Sequence, residues 1–486
     1  MSKPLLTMNT LFSGIGCQER GIENTNLFDL DVLTTSDINK EATLAYAAVH
    51  CGLTEETIQS YPCYPSAEEM FSELADMNFG YDPNKDKNFD WSKLAKGKPK
   101  ELKKYWLAAK VSNNLGDIRG INELPYADLW TCSFPCTDVS VAGKIKGFAP
   151  DSGTRSSLLW ESIRLLRKSV DNGTSPKFIM FENVKNLVGK KFRKGFDDLV
   201  SVLDDLNYNT HWQILNAKEC GVPQSRERVF ALCIRKDVDN GKFEFPKPFD
   251  NGLRLKHMLE PEVDEKYYLS NSAIEHMNRE RNGKPRWEYH KSEYNGMSCT
   301  LTANMWKGVP YGVISGANTI QQTGNLYGTE REPNPVAGRV YSTEGVCSTI
   351  RTPSGGNTQP IIEEPVEPFI IASRGRYAPN SHTEQKLEPN TTGRTNTLTT
   401  VQKDNYVCEP TLRIRRLTPK ECWKLMGMTS EDCDKASAVG VSNTQLYACA
   451  GNGIVTNCVE LIFEHLYKAL YDPSYICSDE RFQNEI

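Results

Sequence analysis

The first half of the chain alternates short apolar runs with longer amphipathic stretches, and this pattern constrains the fold more than any other feature. The apolar runs have the length of strands: LLTMNTLF, DVLTTSDI, ADLWTCSF, PKFIMFEN, YNTHWQIL and RVFALCIR. Helical patterns such as INKEATLAYAAVH and RSSLLWESIRLLRKSV lie between them. Because alternating strands and helices build mostly parallel sheets, we predict an α/β, doubly wound domain.

Length, charge and cysteine content narrow the class of protein. A chain of 486 residues predicts two domains. Its formal net charge of −5 does not indicate a basic nucleic-acid-binding protein. It does not exclude one either, because a local basic face is enough to bind phosphates. The 15 cysteines include no Cys-x-x-Cys pair, so we predict no metal site and a reducing compartment. The start lacks a secretory pattern and no run is expected to cross a bilayer, so we predict a cytoplasmic protein without membrane contact.

Two regions depart from the alternating pattern. Residues 54–115 contain the Lys-rich run KLAKGKPKELKKYW, and we predict an insertion at the sheet edge whose basic stretch is either a phosphate contact or a solvated helical face. Residues 251–410 are rich in Gly, Pro, Asn, Thr and Ser, which predicts a smaller β-rich domain. It would separate a first domain at 1–250 from a C-terminal segment at 411–486 that rejoins the first domain.

Three segments of the 251–410 region resemble one another. Each has a Thr-rich run, a polar loop and a second apolar run, and Thr300, Thr349 and Thr397 occupy matching positions. The spacing of roughly fifty residues is one at which internal repeats occur, and we predict three related β-hairpin modules. Further on, Leu-Thr-Pro predicts a helix with Thr418 as its N-cap and Pro419 in its first turn.

A glycine turn and two acids are predicted to lie at strand ends. Gly14 and Gly16 stand between a strand and a helix, where glycine permits either a structural turn or the close approach of a ligand. Asp37 ends the second strand about twenty residues later, a position that suits ribose hydroxyls. Asp117 follows the insertion. Together these features indicate a nucleoside-bearing ligand.

Three further motifs offer reactive or charged groups. In SFPCTDVSVAG, Pro135 stiffens the approach to Cys136, which is either a packed thiol or a nucleophile. Glu182, at the end of another apolar strand, serves proton transfer or hydrogen bonding to a base ring, or else caps a helix. Arg226 and Arg228 alternate before a strand and share one face, where they bind phosphate or a base carbonyl, or line an exposed surface.

In this order the motifs resemble those of the DNA cytosine-5 methyltransferase family, in its bacterial or phage form. The matching elements are the glycine turn, the acidic strand end, Pro-Cys, Glu-Asn-Val, Gln-x-Arg-x-Arg, Arg-x-Leu-Thr-Pro-x-Glu and a late Gly-Asn. The resemblance covers almost the whole chain outside the insertion and the repeat region. It implies a Rossmann-like domain dependent on S-adenosylmethionine and a smaller target-recognition domain.

The resemblance also implies residue roles. The catalytic residues would be Cys136, Glu182, Arg226 and Arg228. The cofactor-binding residues would be Phe12, Gly14, Gly16, Asp37, Ile38, Asp117, Ile118, Pro135, Leu158 and Asn452. Candidates for DNA contact are Arg339, Arg351, Arg374, Arg376 and Arg394, because arginine reads guanine bidentately, although surface solubility also explains each of them. Asp37 would bind ribose hydroxyls, Ile38 would pack on adenine, and Asp117 would accept from the adenine amine.

Four positions depart from the family pattern. Thr10 stands where Asp is common, Cys17 where a third Gly is common, Thr137 where Gln is usual, and Gly453 where a small polar residue or Ala is usual. None of these changes removes a group that the chemistry requires. The family resemblance therefore implies an intact active site.

The implied reaction is methyl transfer to C5 of a cytosine in duplex DNA. Addition of the Cys136 thiolate at C6 would activate C5, while Glu182 hydrogen-bonds N3 and the exocyclic amine, and Arg228 holds O2. The base must be flipped out of the duplex to be reached. S-adenosylhomocysteine would be the second product. We expect a monomer, and a cognate restriction endonuclease is left open.

Two alternatives remain at this point. A transfer-RNA cytosine-5 methyltransferase would share the catalytic motifs, but the large region at 251–410 argues against it. A DNA-binding relative without catalysis would share the fold, but the intact Cys136, Glu182, Arg226 and Arg228 argue against that.

Overall fold

The computed structural model describes residues 3–82, 87–136, 139, 147, 154–267 and 417–475, together with seven short strands between residues 322 and 416. Its centre is a six-stranded sheet of order β2-β1-β3-β4-β6-β5. The strands are β1 (Leu5–Leu11), β2 (Asp29–Ser36), β3 (Leu129–Cys132), β4 (Phe178–Val184), β5 (Tyr208–Asn216) and β6 (Glu227–Arg235). Each coincides with one of the six predicted runs.

The pairing pattern confirms a doubly wound α/β fold with one antiparallel strand. Strands β1 to β4 pair in parallel, whereas β6 runs antiparallel to both β4 and β5. Side chains of β4 alternate between two cores, with Phe178 and Met180 in one and Ile179 and Phe181 in the other. Because both faces of a strand of this kind are buried, its sequence reads as a continuous apolar run.

The helices cover both faces of the sheet. In chain order they are α1 (Cys17–Thr25), α2 (Lys40–His50), α3 (Glu55–Ser60), α4 (Ala67–Asp76), α5 (Trp91–Gly97), α6 (Pro99–Val111), α7 (Leu159–Asp171), α8 (Arg193–Asp205), α9 (Pro419–Leu425), α10 (Ser430–Ala438), α11 (Asn443–Asn452) and α12 (Thr456–Tyr471). One core contains side chains of α1, α2 and the four C-terminal helices, and the other contains those of α7 and α8.

The C-terminal helices pack directly on the first domain. Thr418 caps α9 through a reciprocal pair of hydrogen bonds with Glu421, and Pro419 lies in the first turn, as predicted. Helix α12 approaches α1 so closely that a Cβ added at Gly21 would lie 2.6 Å from Val459 Cβ. Chain segments more than 400 residues apart thus share one core.

One stretch has the length and composition of a membrane-spanning helix, which the sequence analysis did not anticipate. It is Asn443–Tyr471, and it comprises α11 and α12. In its most apolar window 61% is buried inside the protein. Its apolar side chains, including Val459, Ile462 and Phe463, belong to the core, so packing accounts for the apolar composition.

The insertion at residues 54–115 is helical and lies beside the edge strand β2. It contains α3 to α6, and the stacked rings of Phe79 and Trp91, with centroids 5.6 Å apart, belong to the core that also contains side chains of α1 and α2. Its last residues run along the end of β2, where Thr35 forms a parallel bridge with Asn114. These residues thus lie at the edge of the sheet, and their Lys-rich stretch forms α5 and α6.

Seven strands of the 251–416 region form two further sheets. Strands β7 (Gln322–Asn325), β8 (Arg339–Ser342), β9 (Ile361–Glu364) and β13 (Arg413–Arg416) form a sheet of order β13-β9-β8-β7. Strands β10 (Phe369–Tyr377), β11 (Thr383–Asn390) and β12 (Asn405–Cys408) form a sheet of order β11-β10-β12. Thr300, Thr349 and Thr397, on which the predicted repeat rests, lie outside the described residues.

The predicted DNA-contact arginines divide between strands and undescribed residues. Arg339 lies in β8, and Arg374 and Arg376 lie in β10. Arg351 and Arg394 lie outside the described residues. Arg374 and Arg376 are two residues apart in β10.

Candidate active site

The predicted site residues converge on one edge of the central sheet. Phe12, Asp37 and Cys136 follow the parallel strands β1, β2 and β3, and Glu182 lies near the end of β4. Strand β6 is antiparallel to β4, so Arg228 at its beginning reaches the same edge. In open α/β sheets this edge is where ligands bind.

The glycine turn after β1 adopts a left-handed backbone. Gly14 has φ +57° and Gly16, which caps α1, has φ +79°. Phe12 is left-handed too, with φ +60°, a conformation that costs a non-glycine residue energy and clusters at functional sites. A Cβ at Gly14 would meet no atom within 4 Å, whereas one at Gly16 would collide with the His50 imidazole.

Asp37 is fastened to the glycine turn. Its Oδ2 accepts a hydrogen bond from Gly14 N at 2.8 Å, and its Oδ1 accepts one from Asn39 N at 2.7 Å. Asn114 of the insertion pairs with the Asp37 backbone, accepting from Asp37 N at 3.0 Å and donating to Asp37 O at 2.9 Å. Burial raises the pKa of the Asp37 carboxyl, although the amide donors oppose that rise.

Asp117 is buried and engaged by a neighbouring arginine. Arg119 donates to both Asp117 carboxylate oxygens, with Nε 3.0 Å from each and Nη2 2.5 Å from Oδ2. Burial by itself would raise the pKa of Asp117, but the Arg119 hydrogen bonds and charge lower it overall. The carboxylate is therefore kept ionised as an acceptor.

The remaining predicted cofactor residues lie around this edge. Ile38 is half-buried after β2, and Ile118 is buried directly after Asp117. Leu158 is half-buried at the start of α7, and Asn452 is the last residue of α11. All four are thus placed at loop or helix ends rather than within strands.

The loop carrying Pro135 and Cys136 is held by side-chain donors that the sequence analysis did not single out. Asn183 Nδ2 donates to Phe134 O at 2.9 Å, and Ser156 Oγ donates to Pro135 O at 2.7 Å. Asn186 Nδ2 donates to Val139 O at 2.6 Å. Thr137 lies outside the described residues. These bonds fix the backbone on both sides of Cys136, as positioning of a reactive group requires.

Cys136, Glu182 and Arg228 form one electrostatic cluster. Arg228 Nε lies 3.2 Å from Glu182 Oε1, and the Glu182 side chain is buried in β4. Burial raises the pKa of Glu182, with Arg228 and Arg226 opposing the rise. Burial also raises the pKa of the Cys136 thiol, while the charge of Arg228 lowers it. The alternative that Glu182 caps a helix is wrong, because it lies inside a strand.

Arg226 has a different set of partners from Arg228. It is 4% exposed, and its Nη2 donates to Gly451 O at 3.1 Å and Gly453 O at 2.8 Å. Burial lowers its pKa to about 9. The exposed-face alternative is therefore wrong for Arg226, which ties the start of β6 to the loop after α11.

Two departures from the family pattern face each other. A Cβ added at Gly453 would lie 3.0 Å from Cys17 Sγ and 3.3 Å from Cys449 O. Cys17 is buried in the first turn of α1, and burial raises its pKa to about 12. The larger residue at position 17 thus occupies the space left by the smaller residue at position 453. Thr10, the other described departure, donates to the buried Glu19 Oε1 at 2.6 Å.

We expect Gly453→Ala to destabilise the protein by about 1–3 kcal/mol, the usual range for overpacking a core. Gly453 has φ −67°, which alanine adopts freely, so the cost arises from contact with Cys17. Cys17→Ala in the same chain should recover most of the loss, and urea unfolding of the double-mutant cycle measures this coupling. Gly97→Ala, with no atom within 4 Å of its added Cβ, is the control. Additive effects at 17 and 453 would contradict the prediction.

This fold and site define a class: a Rossmann-like α/β domain with a thiol, a carboxylate and a guanidinium at the strand ends. The sequence profile of C-5 cytosine-specific DNA methylases matches residues 67–468. The chain therefore belongs to this S-adenosylmethionine-dependent family, and its enzyme class is DNA (cytosine-5-)-methyltransferase.

Two sequence relatives agree with that assignment. The type II methyltransferase M2.ScrFI of Lactococcus lactis subsp. cremoris is 30% identical over 96% of this chain and 100% of its own length. The orphan methyltransferase M.Rho11sI of Bacillus phage rho11s is 26% identical over 96% of this chain and 98% of its own length. Among solved structures, the methyltransferase EhMeth of Entamoeba histolytica has a TM-score of 0.47 at 13% identity, covering 97% of this chain and 99% of that one.

Proposed function

We propose that this chain methylates C5 of a cytosine within a specific duplex DNA sequence, through base flipping and a covalent bond between Cys136 and C6. The observation that carries the proposal is the cluster of Cys136, Glu182 and Arg228 at the strand ends, beside the glycine turn. We further propose that the enzyme acts as a monomer in the cytoplasm of a bacterial or phage-infected cell. Residues 251–410 would recognise the target, with Arg339, Arg374 and Arg376 as DNA contacts.

The described residues fit S-adenosylmethionine. The space beside Gly14 is open. The carboxylate of Asp37, after β2, and that of Asp117, after the insertion, can accept hydrogen bonds from the ribose hydroxyls and the adenine amine. When bound, S-adenosylmethionine supplies an electrophilic methyl group. Within the residues that the structure describes, no group of three or more His, Cys, Asp or Glu side chains could hold a metal.

The chemistry follows from the charges around the thiol. Cys136 must lose its proton to add to C6, and the nearby Arg228 favours the thiolate. Glu182 has a raised pKa, so its protonated form is available to donate to N3 and neutralise the charge that the addition creates. C5 would then become nucleophilic and take the methyl group as its bond to sulfur breaks, leaving S-adenosylhomocysteine. Water would accept the C5 proton, and the proton on N3 would return to Glu182. Expulsion of the Cys136 thiolate restores the aromatic ring.

Arg228 and Arg226 have separate roles in this proposal. Arg228 contacts Glu182 and would hold the cytosine O2 in the flipped pose. Arg226, which donates to the carbonyls of Gly451 and Gly453, would act by holding the C-terminal end of α11, where Asn452 lies. The predicted catalytic role of Arg226 is thus proposed here as a positioning role.

Transfer of a tritiated methyl group from S-adenosylmethionine tests the function. The protein is incubated in parallel with a mixture of duplex DNA of diverse sequence and with transfer RNA. We expect label in DNA and none in transfer RNA, and bisulfite sequencing of the DNA then identifies the target. Label in transfer RNA alone would favour the RNA methyltransferase, and label in neither would favour a binding protein without catalysis.

A further inference from the structure

One segment of the insertion contacts two residues of the predicted adenosine site through its backbone. The segment, residues 77–81, follows α4, and here it is called the 77–81 segment. Gly80 N donates to Ile38 O at 2.7 Å, and Met77 O accepts from Asp117 N at 2.9 Å. The insertion therefore bonds to the backbone of the residue predicted to pack on adenine and of the residue predicted to accept its amine.

Two side chains of the 77–81 segment reach the Asp117 carboxylate or its partner. Asn78 Nδ2 lies 3.5 Å from Asp117 Oδ2. The Tyr81 ring centroid lies 5.6 Å from the Arg119 guanidinium, within the range of a cation–π contact. Arg119 binds both Asp117 oxygens, so Tyr81 acts on the carboxylate through Arg119, whereas Asn78 contacts it directly.

The 77–81 segment is held rigidly enough to act as a wall. Phe79 is buried and stacks on Trp91 with an interplanar angle of 5°, and Trp91 Nε1 donates to Phe79 O at 2.8 Å. On the other side, a Cβ added at Gly116 would lie 2.6 Å from Met77 Cβ. Close packing on both sides fixes the position of Asn78 and Tyr81 relative to Asp117.

We infer that the 77–81 segment forms one wall of the adenosine site, and that Asn78 and Tyr81 are positioning residues for S-adenosylmethionine. This inference rests on the proposed function. Asn78 donates towards Asp117 and Tyr81 holds Arg119, so both keep the carboxylate in place as an acceptor for the adenine amine. The insertion thus completes the cofactor site from the edge of the sheet.

The test compares Asn78→Ala and Tyr81→Ala with wild type in the full-length protein. We expect each to weaken calorimetric binding of S-adenosylhomocysteine about fivefold to tenfold, where tenfold corresponds to about 1.4 kcal/mol. The KM for S-adenosylmethionine should rise by a similar factor, with kcat and DNA affinity unchanged. Tyr81→Phe keeps the ring beside Arg119 and separates loss of the cation–π contact from loss of the hydroxyl. Lys93→Ala, on a side chain 79% exposed in α5, is the control within the insertion.

Four outcomes are distinguishable. Weakened S-adenosylhomocysteine binding at unchanged melting temperature supports the wall. A lower melting temperature with unchanged binding would overturn it and leave the segment as scaffold. If wild type bound S-adenosylhomocysteine while Tyr81→Ala and Asn78→Ala bound equally well, the proposed function would stand and this inference would fail. If wild type bound none, both would fail.

Discussion

Cys136→Ala is expected to abolish methyl transfer, lowering the rate by at least about 10⁴-fold, as removal of a nucleophile does in covalent catalysis. The thiol is half-buried beside Arg228 and Glu182. The fold should survive the change because alanine keeps the backbone bonds that hold the loop at Phe134 and Pro135. Tritium transfer to DNA measures the rate.

The matched control for this experiment is Cys63→Ala, an exposed thiol in the insertion, which should methylate as wild type does. A covalent trap adds a second readout. DNA with 5-fluorocytosine at the target should form a gel-stable adduct with wild type and Cys63→Ala but none with Cys136→Ala, because fluorine cannot leave as the C5 proton does. An adduct with Cys136→Ala would exclude Cys136 as the nucleophile.

The pH dependence of adduct formation has a definite direction. Burial raises the pKa of Cys136 above its ordinary value, so the thiol is neutral at pH 7 before DNA binds. The fraction of thiolate, and with it the adduct rate, should therefore rise with increasing pH across the neutral range. In Glu182→Gln, where no Glu182 proton is lost, a rate that fell or stayed flat over that range would indicate that the thiol is ionised before the base arrives.

The strands and the order of reactive residues could be predicted from the sequence because both are local patterns. A buried parallel strand is a continuous apolar run, and the end of such a run marks the functional edge of a sheet. Asp37, Cys136 and Glu182 each lie at the end of an apolar run, so the sequence placed them together before any contact was known. The alternative prediction, that Glu182 caps a helix, was wrong because β4 continues beyond Glu182 to Val184.

The supports of the site could not be predicted, because they join residues distant in the chain. Asn114 holds the Asp37 backbone across 77 residues, and Arg226 holds Gly453 across 227 residues. A polar residue in a loop carries no signal for which carbonyl it will bond. The composition of the insertion predicts charged helices. Its contact with Asp117 depends on the path of the backbone from α4 into the 77–81 segment, which composition does not predict.

The paired departures at positions 17 and 453 show the same limit. Each looks like a separate weakening of the family pattern when the motifs are compared one by one. In the folded chain the Cys17 sulfur fills the space next to Gly453, so the two changes compensate in volume. Only tertiary packing reveals that two exceptions are one adjustment.

Glu182→Gln is expected to lower kcat by about 10²- to 10⁴-fold, the range for loss of a general acid. Glutamine can hydrogen-bond the flipped base but cannot transfer a proton to N3, so DNA affinity should change little. Glu227→Gln is the matched control, because its carboxylate lies on the neighbouring β6 and pairs with the exposed Lys185. A Glu182→Gln enzyme with wild-type kcat would contradict proton donation by this group.

The pH profile separates proton donation from simple positioning. Burial raises the Glu182 pKa while Arg228 and Arg226 oppose that rise, so the carboxyl stays protonated to a higher pH than an exposed glutamate does. As pH rises through this pKa, Glu182 loses the proton that it donates, and this loss should lower the kcat of the wild type. Ionisation of Cys136 should raise kcat over the same change in pH. In Glu182→Gln, kcat should still rise with Cys136 ionisation but should not fall through the Glu182 pKa. Equal pH profiles in the two enzymes would mean that Glu182 only orients the base.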